Sequence, residues 1–482
     1  MADVATFRIL YTIRTFSLLL PERKELAMSS RSFEDMTRKD WVIAISATMI
    51  VALAYGIVLF RYPLVYGIDS PYYLIQVRSI LRTGMISYPD PPLSFYFFAL
   101  LTMIIGDSMV AVKLGTVLFC ALTVIPSYLI GKRISGSTPA AIASVVAAPL
   151  SAGLMVMSGQ LLKNTLGVFF LMSFIYLCLR ILEGDESKTT KGMAIATFTL
   201  TALTHILDLG LALLYLMLLS IASLVMGSTR RKFLHFSVPF LVGCVMIGGL
   251  AYFVYAGYTT DIGKGLIFLQ QFVENLENND VSILAVTVPS RAVSYLSAAM
   301  GVVGVAIYYR RKKPDEAAFM AISTMVIVLL NLPFVPDQFS MRFTLMSFVP
   351  MSSIVAGLAG LIGRKGFQWG AVVLFVPLFL LTQTIPVSRK LGPMISPEEY
   401  NDLLEMANLI PEGSKVIGGK PGAGYWVLYL LDSEQFKPSP GEIIDYPLYF
   451  VSGPGWRPAP RNAISIYSGN ALHMYVIPPA RR

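Results

Sequence analysis

The chain is short of charge, of cysteine and of histidine. Of its 482 residues only 14% are charged while 55% are hydrophobic, and the mean hydropathy is +0.65. A soluble chain of that composition would be hard to keep in solution, which excludes an ordinary cytosolic enzyme and points to a polytopic membrane protein. The three cysteines, Cys120, Cys178 and Cys244, lie inside apolar runs without ligand spacing. They exclude a disulfide framework and read as small hydrophobes. There are three histidines and no His/carboxylate cluster at metal-ligand spacing, so no metal is required. No repeat of ~20–50 residues and no low-complexity tract is present. The glycine-rich GGKPGAGYWVLYLL (418–431) lacks the P-loop spacing and the Ser/Thr after its lysine, so it reads as turns between strands. The formal charge of +9 would suggest nucleic acid in a soluble protein; here the cations sit in short loops and mark topology instead.

Apolar stretches long enough to cross a ~30 Å hydrocarbon core recur along the chain. They cover 41–60, 109–131, 138–157, 164–182, 193–208, 209–227, 234–255, 291–309, 316–335, 344–362 and 368–386. The stretch LSFYFFALLTMIIG (93–106) has only 14 residues, below the ~17–25 of a span. Parity decides its role. If it does not cross, Lys132–Arg133, Arg230–Arg231–Lys232, Arg310–Arg311–Lys312–Lys313 and Arg364–Lys365 all share the side of the basic N-terminus; if it crosses, all flip outside, against the positive-inside rule. It is therefore taken as a juxtamembrane or re-entrant helix, which leaves about eleven spans. Residues 1–40 then form a cytosolic arm, 41–389 a transmembrane domain with an outer loop at 61–108, and 390–482 an extracytoplasmic tail.

That topology sorts the polar residues. One face receives Asp69 and Asp90 of the 61–108 loop, Gln160, Lys163 and Asn164 (SGQLLKNT), His205 and Asp208 (LTHILDLG), a loop at 256–290, and Arg342 (VPDQFSMRFTLMSFVP). Ionisable residues at membrane level are rare and usually functional, and here they gather at the ends of different spans. Within the loop, Ser70 as N-cap, Pro71 at the first helical turn and Gly84 as stop predict a short helix, with Asp69 one residue outside it. Arg78 and Arg82 on that helix are expected to touch lipid headgroups. In the tail, Ser396 and Glu399 predict a capped amphipathic helix followed by a short strand, the start of a small α/β domain.

YGIDSPYYLIQVRSILRTG (66–84) and YPDPPLSFYFFALLTMIIG (88–106) resemble the first outer loop of the GT-C superfamily of membrane glycosyltransferases. The second stretch is similar to the Pro-Pro-Leu–aromatic segment of the protein O-mannosyltransferase and lipid A aminoarabinose transferase branch. SGQLLKNTLGVFFLMSFIYL and MRFTLMSFVPMSSIVAGL fall where that branch places an outer polar cluster and an Arg-initiated span. The resemblance covers roughly 41–390. The sequence departs from it in two places: Asp69–Ser70 stands where the aminoarabinose enzymes have an acidic pair, and Asp90–Pro91 where they have a lysine before the proline. The Trp-Trp-Asp motif of oligosaccharyltransferases is absent, which argues against en bloc oligosaccharide transfer.

The resemblance implies an all-α polytopic fold with juxtamembrane helices and a small α/β C-terminal domain. It implies a hexosyl- or pentosyltransferase, inverting, that moves a sugar from a polyprenyl- or dolichyl-phosphate donor to a protein, lipid or glycan acceptor. The expected setting is the outer face of the plasma membrane, among membrane lipids and without nucleic acid. Asp69 is the expected base, since such transfer needs a group to take the acceptor proton; the alternative is a helix-end charge favoured by the macrodipole. Arg342 and Lys163 are the candidates for the donor phosphate, against simple snorkelling. Tyr72, Tyr73, Gln160 and Asn164 are candidate substrate contacts. Asp90 is either a further such contact or the start of an Asp-Pro turn, and His205 with Asp208 either a satisfied pair or part of a substrate site. A Mg²⁺ or Mn²⁺ bridging Asp69 and Asp90 is compatible with these residues. Two rivals remain: a lipid flippase or secondary transporter, and a non-catalytic GT-C-fold protein of polysaccharide assembly.

Overall fold

The computed structural model describes residues 36–478, apart from 226–227, 255, 279–287, 412, 419, 421 and 436–446. The body of the expected N-terminal arm, 1–35, lies outside the described residues. The helices run α1 Arg38–Leu59, α2 Ser70–Thr83, α3 Leu93–Ile105, α4 Ser108–Leu122, α5 Val124–Ser135, α6 Thr138–Ala147, α7 Ala152–Gln160 and α8 Leu162–Leu182. They continue with α9 Lys188–Thr204, α10 Ile206–Val225, α11 Ser228–Arg231, α12 Leu234–Val254, α13 Ala256–Glu277, α14 Val288–Arg310 and α15 Pro314–Leu330. Last come α16 Asp337–Leu345, α17 Phe348–Leu361, α18 Lys365–Phe379, α19 Ile385–Lys390, α20 Pro397–Ala407 and α21 Gly424–Leu430.

All eleven stretches expected to span are helical over most of their length. Among the described residues seven helices are long and apolar enough to cross a membrane, or eight if the bent pair α6–α7 is one span. That pair is bent by 43°, where the sequence suggested one continuous helix. The free backbone groups at the break are taken up inside the protein: Tyr55 donates to Pro149 O at 2.6 Å, Thr384 donates to Leu150 O, and the Ser151 hydroxyl accepts from Leu154 N–H at 3.1 Å. Irregular backbone at membrane depth survives only when satisfied in this way. The short apolar stretch is α3, of 13 residues, which reaches ~20 Å and falls short of a span.

The 256–290 region is not the expected loop. Its described part forms α13, whose Phe268 packs on Phe339 and Phe343 of α16 at 5.3 and 5.2 Å, while Gln338 of α16 donates to Gln271 at 2.6 Å. Charges at Lys264 and Glu274 interrupt the apolar run and hid its helical period.

One end of the bundle is knitted by ion pairs. Lys132 reaches Asp40 at 2.9 Å, Arg133 pairs with Glu183, Arg230 meets Asp315 at 2.6 Å, and Lys232 meets Glu186 at 2.9 Å. Two of the four basic clusters therefore supply these cations to the same end, and Asp315 follows closely on a third. Lys163, at the start of α8, is at the other end from Glu183, which follows its last residue.

The tail carries a five-stranded sheet ordered β2-β1-β3-β5-β4, with β1 Lys415–Gly418, β2 Glu434–Gln435, β3 Leu448–Ser452, β4 Ile464–Ser468 and β5 His473–Ile477. The three strands β2, β1 and β3 run parallel; β5 is antiparallel to β3 and β4. The expected cap is present on α20: Ser396 accepts from Glu399 N–H at 3.1 Å and Glu399 accepts from Ser396 N–H at 2.7 Å. YWVLYLL, read as part of a turn, instead forms α21 between β1 and β2.

A second apolar core joins this sheet to the 61–106 region and to residues of α4 and α8, among them Val112, Phe119, Leu162 and Leu166. It includes Leu74 and Val77 of α2, Phe95 and Phe98 of α3, Leu403 of α20, Trp426 of α21 and Val451 of β3. Arg78 and Arg82 reinforce the joint. Both pair with Asp432, at 2.7 and 2.6 Å, and Arg78 also donates to Tyr429 O at 2.6 Å. They do not reach for headgroups, because a carboxylate from the tail takes them first.

Candidate active site

Asp69 owes its place to Gly67. The chain turns at Gly67 with φ +67°, where a Cβ would lie 2.5 Å from Gly159 O and 2.6 Å from Gln160 Cγ. Only glycine permits both the backbone conformation and that approach. Gly67 N–H donates to Gly392 O at 3.1 Å, and Ser70 Oγ donates to Gly159 O at 3.3 Å. The turn is thus clamped between the end of α7, where Gln160 sits, and the chain leaving α19. Ser70 is the first residue of α2 and Asp69 itself is the N-cap, one position from the expected boundary, yet the Asp69 carboxylate makes no capping bond. Pro71 explains why: it removes one of the N–H groups that a cap would satisfy. Gly84 ends the helix at φ 78°, as expected.

The Asp69 carboxylate is half-buried and has no hydrogen bond or ion pair among the described residues. Burial raises its pKa above the ordinary carboxylate value, while Arg342 and Lys163 pull it back down and Asp90 pushes it up. A carboxylate that is desolvated, unpartnered and flanked by cations is poised to accept a proton.

The other candidates form a connected shell. Lys163 N–H donates to Tyr73 Oη at 3.0 Å, and the Lys163 ammonium pairs with Asp90 and lies 5.7 Å from the Phe95 ring centroid. Asp90 also accepts from Tyr72 Oη at 3.0 Å, so its carboxylate is already engaged. Arg342, on α16, is exposed, and its guanidinium has no hydrogen bond or ion pair among the described residues. A second guanidinium reaches that helix from a neighbour, since Arg291 of α14 donates to Ser340.

Asn164, His205 and Asp208 lie behind this shell, buried. Leu207 N–H donates to His205 Nδ1 at 3.1 Å, which leaves Nδ1 an acceptor for the Asn164 amide at 2.9 Å and puts the ring proton on Nε2. His205 and Asp208 are not a satisfied pair: Nδ1 stands 4.0 Å from Asp208 Oδ2, and neither Asp208 oxygen has a hydrogen-bond partner among the described residues. The carboxylate fits only because Gly167 has no side chain; a Cβ there would lie 2.1 Å from Oδ2.

Gln76, Tyr88 and Tyr425 escaped the sequence reading. Gln76 is fully buried; its amide donates to Tyr72 Oη at 2.8 Å and Tyr88 O at 2.9 Å and accepts from Ser87 and Tyr88 N–H at 2.8 and 3.2 Å. It holds the segment that leads to Asp90. Tyr88 and Tyr425 flank Tyr72, with ring centroids 5.8 and 5.3 Å away. Lys420, in the glycine-rich stretch, is taken by Glu399 at 2.9 Å. Among the described residues no group of three His, Cys, Asp or Glu could hold a metal ion.

Residues 89–255 match the family of dolichyl-phosphate-mannose-protein mannosyltransferases. None of the curated proteins matches the sequence. In fold the chain is similar to ArnT from Cupriavidus metallidurans bound to undecaprenyl phosphate, with a TM-score of 0.53, 12% identity, and 91% of this chain and 98% of that one covered. It is similar to the Archaeoglobus fulgidus oligosaccharyltransferase AglB in complex with an inhibitory peptide and a dolichol-phosphate, with a TM-score of 0.51, 14% identity and 82% of this chain covered. The arabinofuranosyltransferase AftD from Mycobacteria is a third, with a TM-score of 0.56, 14% identity, and 92% of this chain and 40% of that one covered. The chain spans 64% of the length of the archaeal enzyme in that complex. It has the GT-C fold of membrane glycosyltransferases, as the resemblance implied, and is a multi-pass membrane protein.

Proposed function

We propose that the chain is an inverting glycosyltransferase using a polyprenyl- or dolichyl-phosphate sugar, with Asp69 as its base. In this reading the acceptor hydroxyl or amine gives its proton to Asp69 as its oxygen or nitrogen attacks the anomeric carbon. The bond from that carbon to the phosphate oxygen breaks, and the lipid phosphate leaves with the electron pair. Arg342 meets the leaving phosphate with a planar, bidentate fork. An ammonium carries three donors, so Lys163 keeps Asp90 and still has N–H groups to offer the same phosphate. His205 Nε2–H is a neutral donor with a fixed tautomer. The single observation that carries the reading is the Asp69 carboxylate: half-buried, clamped by Gly67, without a partner, and between two cations. Lipid phosphates bound to ArnT and AglB, which share the fold, support the donor class.

The site would face outward, with the ion-paired end of the bundle and its basic clusters in the cytoplasm. A Mg²⁺ or Mn²⁺ at Asp69 and Asp90 would have to compete with Lys163 and Tyr72 for Asp90. The polar residues end several helices at one end of the bundle rather than meeting at mid-span, which disfavours a transporter. Purified protein given a radiolabelled polyprenyl-phosphate sugar should transfer label to an acceptor from its own membranes. Lipid-phosphate binding without transfer would favour the non-catalytic alternative.

A further inference from the structure

A cavity of about 720 Å³, lined by the Tyr72–Tyr425 ring pair but not by Asp69, lies between α2 and the tail domain. Tyr72, Ile75, Arg78 or Ser79, and Arg82 or Thr83 recur at helical spacing, so one face of α2 forms a whole wall. The opposite wall comes from α21 and the turn after it, with Tyr425, Leu428 and Asp432. The volume falls within the range of small-molecule sites.

The chemistry of the lining is uneven. Among the described residues its only aliphatic side chains are Ile75 and Leu428, too few to seat an acyl chain. The two guanidiniums are held by the Asp432 carboxylate, which stands between them and would repel a simple anion. What the walls offer is three phenol rings, several hydroxyls, and a rigid arginine–aspartate array with donors and acceptors side by side. A pyranose or furanose ring has that pattern in reverse: an apolar C–H face to lie on an aromatic ring, and an edge of hydroxyls that both donate and accept. Fixing the arginines in advance lowers the entropic cost of binding such a ligand.

We infer that this cavity binds an oligosaccharide, the body of the acceptor whose reacting end passes the Tyr72–Tyr425 pair to reach Asp69. The inference rests on the proposed transfer reaction for the role of the ligand, but not for its binding. Tyr72 links the two compartments directly, one side of its ring lining the cavity while its hydroxyl donates to Asp90. Tyr425 lies within electrostatic reach of Asp69.

Saturation-transfer NMR on the purified full chain, with a panel of free neutral and uronate-containing di- to tetrasaccharides, tests the site without requiring turnover. At least one probe should bind. Ser87→Leu fills the cavity from an exposed position without adding a ring, and Tyr425→Ala removes a ring; each should weaken that binding by about tenfold or more. Undecaprenyl phosphate binding should be unchanged in Ser87→Leu, which shows that the variant is folded. Absence of binding by every saccharide, binding that survives both variants, or displacement by an acidic peptide but not by saccharides overturns the inference. Failure of glycosyl transfer in an otherwise saccharide-binding protein would sink the enzymatic reading and leave the site standing.

Discussion

Two aspartates, one at each side of the second core, show how differently a carboxylate can be kept. Asp402 of α20 is buried and fully engaged: it accepts from Ala471 and Leu472 N–H at 2.7 Å each, from Asn470 N–H at 3.3 Å, and from Tyr467 Oη at 3.1 Å. Burial alone would raise its pKa, but those donors outweigh burial and hold it below the ordinary value. Asp69 has charged neighbours in Arg342, Lys163 and Asp90 but no hydrogen-bond donor on its carboxylate among the described residues, and burial raises its pKa instead. A carboxylate bonded from every side is structure, because its charge is spent on the fold. One that the fold buries and leaves unbonded costs stability when ionised, and that cost is tolerable only if the charge is used elsewhere.

The contrast between the two carboxylates can be broken at several points. Asp69→Glu should lower turnover on the order of 10²-fold, since the extra methylene moves the oxygens by about an ångström in a positioned site. Turnover by purified Asp69→Glu near the wild-type value would mean that the carboxylate need not be placed. Asp402→Ala should remove about 3 kcal/mol from the tail domain, because buried backbone donors are left without acceptors. Hydrogen exchange at 464–477 reports this loss, and unchanged protection there would remove Asp402 from the structural role. Arg342→Ala should weaken undecaprenyl phosphate binding by ~1.5–3 kcal/mol, and Arg342→Lys should recover part of it, since charge survives but the fork does not. Equal affinity in all three proteins would take Arg342 out of the site.

The smallest effect is in pH. Asp69 must be ionised to act, so turnover should fall as pH drops through its raised pKa, which lies above the ordinary ~3.9. Arg342 lowers that value, so in Arg342→Ala the acid limb should move to higher pH. A limb that stays in place in the variant would show that Arg342 does not face Asp69. For Asp402 the pKa shift runs the other way: its contribution to stability is present above ~3.9 and is lost as pH falls through its depressed folded value.

The parts of the site readable in the sequence are those with local grammar. Pro71 and Gly84 bracket α2, and Ser396 with Glu399 starts α20, because caps act over three or four residues. The polar residues at helix ends stood out since charge at membrane depth is rare. What could not be read depends on partners far along the chain. Arg78 looked like a headgroup anchor because Asp432, its real partner, is hundreds of residues away. Gln76 sits among apolar neighbours with nothing to show that its amide would make four bonds to the 72–88 segment. Gly67 carries no signal beyond its type, and only the approach of Gly159 makes it necessary. The bend at α6–α7 was hidden for the same reason, since its carbonyls are satisfied by Tyr55 and Thr384 of other helices.

The central claim, that Asp69 is held unpartnered in order to take a proton, is tested most directly by single-turnover transfer from a radiolabelled polyprenyl-phosphate sugar with purified Asp69→Asn. Asparagine keeps the shape and removes the charge and the proton acceptor. Because the ionised carboxylate is disfavoured by burial, the variant should be at least as stable as wild type near neutral pH and should bind undecaprenyl phosphate normally. Transfer should nonetheless fall by roughly 10²–10⁴-fold, the range for a lost general base. If folded Asp69→Asn transfers sugar at the wild-type rate, Asp69 is a helix-end charge and nothing more, and the mechanism is wrong.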